Sequence, residues 1–417
     1  MLFILIYRMI NSMEAKKDKK LALVLSGGGI KAAAFHVGVS LALREHGYYF
    51  AGGSKEDVEN ALVDPDKTFT TYVGSSAGSI ISAYLASGHS IESIIDSFQM
   101  GNLFIRKTRN RLPTFGDLAP LRYKDIFYLN GIEFSGVNLR KFMPRALVDS
   151  PILSGGLEAL FKQGFKWNGL FSTKGIERYF REKVLEVNQF SDLGVDLFII
   201  STQLNHSRKV IFGDFDIPRK NSDTKWANFA SISQAIAASA ALPPVFAPYG
   251  IPNQKGKEIF FFDGEIRDTL STHVAHDMGA DLVVSSYSIQ PYHFNQQIGS
   301  LHKYGIPVII NQALYQAVEQ KINAYLRYHS NVELIIKIIQ DQLSKDMVAD
   351  DKIEGLTNEI YKALNHRKDV KYVYIHPDPR NHEFFFADHF SLNPEILKRI
   401  LRWGYKAALK KIKSEKL

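Results

Sequence analysis

The sequence predicts an α/β protein with a mainly parallel central sheet flanked by helices. Two short apolar runs, Leu21–Leu25 and Phe69–Val73, each end in glycine and serine and lead directly into a helical run. Strand, tight turn and helix repeated in that order is the pattern of parallel strands joined by covering helices. At 417 residues and 45% hydrophobic composition, the chain is long enough to bury a large core, with room for one big domain or two.

The elements follow in order. After a charged entry at Lys16–Lys20, the first strand stops at Ser26-Gly27-Gly28-Gly29, and an alanine-rich helix runs from Ile30 to Glu45 before Gly47. The second strand leads through Gly74-Ser75-Ser76 into a helix at Ala77–Ala86. From about Gly101 to Gly169 the periodicity weakens among scattered prolines, glycines and aromatics, which reads as an inserted lobe. Order resumes with a helix at Thr173–Val184, strands at Asp196–Thr202 and Lys209–Phe212, and a helix at Ser231–Ala241 stopped by Pro243-Pro244. A strand at Glu258–Phe262 ends at Asp263-Gly264, and Leu282–Ser286 is another. Beyond Pro291 the expectation is mainly helical: Val308–Arg327, Val332–Leu343, Ile353–Leu364 and Pro394–Lys413, with a strand at Lys371–Ile375. The domain reading is therefore an N-terminal extension (1–20), an α/β domain (21–290, with the inserted lobe at about 101–169) and a mainly helical C-terminal region (291–417).

Composition narrows the chemistry. With no cysteine, disulfides, cysteine-ligated metals and thiol catalysis are excluded. A net charge of +8 favours an anionic partner without choosing between nucleic acid, phospholipid and acidic substrate. Met1–Ile10 is apolar but too short to span a membrane, and it lacks the charged start and cleavage site of a secretion signal. A start at Met9 or Met13 explains it equally well. The expected location is cytoplasmic or a peripheral membrane surface, with secretion lacking a cleaved signal as a further route.

Gly74-Ser75-Ser76-Ala77-Gly78 is the strongest chemical feature. A serine hydroxyl is a weak nucleophile that gains from a sharp strand-to-helix turn, where the helix N-terminus favours developing negative charge. The bland reading is a small-residue turn that lets helix and sheet pack closely. Gly27-Gly28-Gly29-Ile30-Lys31 offers backbone N–H groups at a helix start, as an oxyanion requires. Gly27, Gly29 and Ala32 also fit a dinucleotide loop, but the next strand then ends in the serine turn instead of an acidic residue. The absence of Gly-Lys-Ser/Thr excludes a Walker loop. For a base, His36, His273 and His276 read as structural or surface residues. Asp263 closes a very apolar strand, at the sheet edge where sites in open α/β sheets gather. Locally, a base that accepts the serine proton and an Asp-Gly turn remain equal readings.

These elements in this order resemble the patatin-like phospholipase family over about residues 21–286. The resemblance rests on the glycine-rich loop with Lys31, the G-x-S-x-G elbow and an Asp263-Gly264 pair in the D-G-[GA] position. It rests also on the small-residue and proline block Ala238-Ser239-Ala240-Ala241-Leu242-Pro243-Pro244-Val245-Phe246-Ala247-Pro248. It implies a three-layer sandwich and a Ser76–Asp263 dyad without histidine. It further implies an oxyanion hole at Gly27, Gly28 and Gly29, motif support from Lys31, Gly74, Gly78 and Gly264, and no metal or cofactor. The implied substrate is a phospholipid or other acyl lipid, not nucleic acid. Two related readings share the same residues: an acyltransferase, and a catalytically weak lipid-binding or scaffold protein. Three positions depart from the family pattern. Ala32 and Ser26 stand where it has glycine and often aspartate, and Glu265 stands where it prefers glycine or alanine. A carboxylate there either raises the pKa of Asp263 and crowds the site, or points into solvent. For membrane contact the candidates are Leu103–Phe115 and the basic C-terminal helix, whose apolar side alternatively packs on the core. Oligomeric state is not legible.

Overall fold

The computed structural model describes residues 19–417 except 62–63, 101–117, 130–168, 207, 216–222, 268, 365 and 368. The expectations for Met1–Ile10, for Leu103–Phe115 and for most of the inserted lobe therefore lie outside the described residues.

The first half of the chain alternates strand and helix as expected. Strand β1 (Leu21–Leu25) leads into α1 (Gly29–Glu45), then β2 (Tyr49–Phe50) and α2 (Lys55–Ala61). Strand β3 (Thr68–Ser75) leads into α3 (Ala77–Ala86) and α4 (Ile91–Ser97). Between them and the next sheet strand lie α5 (Tyr123–Ile126), β4 (Tyr128–Leu129), which pairs antiparallel with β5 (Phe171–Ser172), and α6 (Lys174–Lys183). Then come β6 (Asp196–Gln203), β7 (Lys209–Phe212), β8 (Thr224–Ala227), α7 (Ile232–Ser239), β9 (Tyr249–Pro252) and β10 (Glu258–Asp263). The chain continues through α8 (Thr272–Asp277), β11 (Leu282–Ser286), α9 (Ile306–Lys345) and α10 (Asp350–Ala363). It closes with β12 (Lys371–Ile375), α11 (His382–Phe386) and α12 (Pro394–Glu415).

Strands β12, β11, β1, β3 and β6 run parallel side by side, and β2 adds to β3. All five residues of β1 are buried because both faces of the sheet are covered. Leu21, Leu23 and Leu25 join the core beneath α1, α3 and α12, whereas Ala22 and Val24 join Val274 and Ala275 of α8 on the opposite face. This is the expected layered architecture.

Two points differ from the sequence reading. The stretch read as two helices, Val308–Arg327 and Val332–Leu343, is one 40-residue helix. The polar residues between the two runs include no glycine or proline, so nothing breaks the backbone ladder. The strand before Asp263 is antiparallel to β6, not part of the parallel set. The basic C-terminal helix buries its apolar side (Leu397, Ile400, Leu401, Ala408, Ile412) in the core, as the core-packing reading of its sequence expected.

Helices α12 and α1 cross at two glycines. A Cβ on Gly404 would lie 2.1 Å from the Phe35 carbonyl oxygen, and one on Gly38 would lie 2.0 Å from that of Leu401. The helix backbones therefore touch, and a single methyl must push them apart. Gly404→Ala is expected to lower unfolding free energy by about 1–3 kcal/mol, read from denaturant midpoints. An unchanged midpoint would mean the crossing relaxes freely.

Candidate active site

Ser76 occupies the turn between β3 and α3 with φ 50° and ψ −122°. A positive φ in a residue with a Cβ costs roughly 1–3 kcal/mol and persists only where surrounding contacts enforce it. Gly78 is one such constraint, because a Cβ there would lie 2.1 Å from the Leu25 carbonyl oxygen. The elbow is thus pressed against the end of β1. Gly74 packs against the backbone of Ser79 in the same turn. Ser76 is only 6% exposed, and its N–H donates to Ser239 Oγ at 2.8 Å. The Ser239 hydroxyl in turn donates to the Ile200 carbonyl at 2.5 Å.

The register of β6 brings Asp263 to this turn. Ser75 pairs with Ile200, and Asp263 pairs with the next residue, Ser201. Strand β7 holds the other edge of β6 through Ile199–Thr202, so β3 and β10 share one edge and meet end to end. Asp263 does lie near the C-terminal ends of the parallel strands. It arrives there at the end of a strand that runs antiparallel to β6. The Asp263 N–H donates to the Ala241 carbonyl at 3.1 Å. Ser239 and Ala241 both belong to the small-residue block, which therefore fixes both sides of the pair. Gly264 is forced by proximity as well, since a Cβ would sit 2.4 Å from the Ile200 carbonyl oxygen.

Asp263 is 1% exposed. Burial pushes its carboxyl up to about 7, opposed by a side-chain hydrogen bond from Ser76 and by the Glu265 amide. That amide donates to Asp263 Oδ1 at 2.9 Å. Such a carboxylate accepts a proton near neutrality, which is what a base acting on a serine hydroxyl needs.

The glycine loop lies beside the pair. Gly28 (φ 130°) and Gly29 (φ 71°) adopt backbone conformations that side chains disfavour. Gly27 is buried, and a Cβ on it would lie 2.8 Å from Ser76 Cβ. Lys31 does not reach the pair. It is fully buried, its Nζ donating to the Phe384 carbonyl at 2.9 Å and lying 4.6 Å from the Phe384 ring centroid. Burial pulls its ammonium down to about 7, with Asp388 opposing. Its backbone N–H donates to the His389 carbonyl at 3.1 Å, so Lys31 ties the loop to the chain around α11.

The histidines are engaged elsewhere. His36 bridges Ser286 Oγ (2.8 Å) and the Ser26 carbonyl (2.9 Å), and burial lowers its pKa to about 4. His273 contacts Lys209 Nζ at 2.8 Å, and His276 contacts Asp277 at 3.1 Å. Glu265 does not point into solvent. It is 6% exposed, and its Oε1 accepts the Gly27 N–H at 2.5 Å. The parts that sequence reasoning missed are the individual roles of Ser239 and Ala241 and the destination of Glu265. The small-residue block was visible, but which atoms it presents depends on tertiary register.

A family model described as Patatin-like phospholipase matches residues 23–276, more than half of the chain. No curated protein matches it. Among the described residues no cluster of histidine, aspartate and glutamate is arranged to hold a metal ion.

The raised Asp263 pKa carries a stability consequence. A carboxyl at about 7 when folded and near 3.8 otherwise favours the native state at low pH and loses that contribution as pH rises through 7. Asp263→Asn removes the penalty. Its melting temperature should match wild type near pH 4 and exceed it increasingly up to pH 8. A constant difference across that range would show that Asp263 is not desolvated.

Proposed function

The chain belongs to the patatin-like phospholipase family, and on that premise we propose that it is a lipid acyl hydrolase working through Ser76 and Asp263. Ser76 Oγ attacks the carbonyl carbon of a fatty acyl ester while its proton passes to Asp263. The tetrahedral oxyanion is held by backbone N–H groups of Gly27, Gly28 and Gly29. Collapse breaks the ester C–O bond, and Asp263 returns the proton to the departing alcohol. Water then attacks the acyl-enzyme with Asp263 again as base, releasing fatty acid and free Ser76.

The observation that carries this reading is the register of β6, which sets the end of β3 at Ser75 against Ile200 and the buried Asp263 against Ser201, bringing Ser76 and Asp263 to one turn. No histidine is needed, because the carboxylate has lost the solvation that would otherwise make it too weak a base. The net charge of +8 supports a peripheral encounter with an anionic lipid surface. Among the described residues no helix is long and apolar enough to cross a membrane.

Fatty acid release from phospholipid vesicles and glycerides tests the reading. Ser76→Ala and Asp263→Asn should each lose roughly a thousandfold or more in kcat/KM. Absence of turnover by wild type on these lipids and on short-chain nitrophenyl esters would refute it, and loss in His276→Ala with retention in Asp263→Asn would replace the dyad by a triad. The pH profile provides a separate check. Since Asp263 must be ionised to accept the proton, kcat/KM should rise with pH and level off above about 7. A plateau reached near pH 4, where exposed carboxylates ionise, would remove Asp263 as the base.

A further inference from the structure

Glu265 lies in the single 3-10 turn Gly264–Ile266 that follows β10. Its backbone and side chain face different parts of the site. The N–H donates to Asp263 Oδ1 at 2.9 Å, holding the base. The side chain crosses to the glycine loop, where Oε1 accepts the N–H of Gly27 at 2.5 Å. It passes close to the nucleophile, because the Cβ position of Gly27 is 2.3 Å from Glu265 Cγ and 2.8 Å from Ser76 Cβ.

A carboxylate oxygen is the protein's nearest chemical equivalent of an ester oxyanion. Both are anionic oxygens that take charge-assisted hydrogen bonds from backbone amides. An amide N–H already holding a buried carboxylate cannot stabilise a second anion until the first leaves. Glu265 is also, of the three departures from the family pattern, the one that places a carboxyl group where that pattern has glycine or alanine.

We propose that Glu265 is an internal blocker of the oxyanion site. The described conformation is a closed state, and turnover requires the Glu265 side chain to swing away from Gly27. The route outward is short. Ile266 next to it is 44% exposed, and its carbonyl accepts from Lys321 Nζ of α9 at 2.8 Å. Gly264 and Glu265 themselves are buried and the Glu265 amide holds Asp263, so the motion required is of the Glu265 side chain and not of the turn. This inference rests on the hydrolase reading of Ser76 and Asp263.

The test is hydrolysis of a short-chain nitrophenyl ester and of phosphatidylcholine vesicles by wild type, Glu265→Ala, Glu265→Gln, Ser76→Ala and the double variant Ser76→Ala/Glu265→Ala. Losing one oxyanion donor typically costs 10²–10³ in rate, so freeing a blocked one should raise kcat/KM by about tenfold or more in Glu265→Ala. Glu265→Gln keeps the shape and a neutral acceptor, and should gain less. A gain of activity is a readout that structural damage does not produce. Should Glu265→Ala fail to give a cooperative melt, Glu265→Gln decides the matter by the same sign. Variants no faster than wild type overturn the blocker. Activity that survives in the double variant overturns the hydrolase reading instead, whereas activity that vanishes with Ser76→Ala but does not rise at Glu265 overturns the blocker alone.

Discussion

The site depends on two strands meeting head-on along one edge of β6. Ser75 pairs with Ile200 and Asp263 with Ser201, so consecutive residues of one strand set the separation of the candidate nucleophile, Ser76, and the candidate base. Strand register moves only in whole residues, and a slip of one would turn every side chain of β10 to the other face of the sheet. The adjacent helix α7 reinforces the same spacing. Ser239 links the Ser76 amide to the Ile200 carbonyl, while Ala241 takes the Asp263 amide. Both halves of the pair are therefore anchored to β6 and to the small-residue block at the end of α7.

This placement holds costly features in position. Ser76 has a strained backbone, Asp263 is a carboxyl without solvent, and Lys31 is a fully buried cation. Each is destabilising alone and is tolerated because the surrounding core fixes it. Lys31 also gives the C-terminal segment a part in the site. Its bonds to the Phe384 and His389 carbonyls draw that segment against the glycine loop, where a Cβ on Gly29 would lie 2.6 Å from the His389 oxygen. The same stretch of chain supplies an edge strand, β12, and the helix packed on α1.

Much of this was legible in the sequence. The apolar runs gave β1, β3, β6 and β11 because buried strands leave an uninterrupted apolar signal, and Ile259–Phe262 marked β10 although that strand is only partly buried. The glycines of the elbow and loop were legible because their backbone conformation or close packing admits no side chain. What was not legible has a common cause. Local sequence carries no strand direction, so β10 was read as though it belonged to the parallel set. The two-residue strand β2 and the half-exposed β8 and β9 carry too few apolar residues to stand out. Ser239 looked like one small residue among several, and only the fold shows that its hydroxyl meets Ser76. Glu265 was conspicuous as a departure, yet its target, the Gly27 amide, lies 238 positions away in sequence.

The most direct measurement is the site of covalent capture by a long-chain alkyl fluorophosphonate, mapped by peptide mass spectrometry in wild type and Asp263→Asn. The account predicts a single adduct on Ser76 that forms markedly more slowly when Asp263 cannot accept the proton. An adduct on another residue, or labelling of Ser76 at the same rate in both proteins, would contradict it.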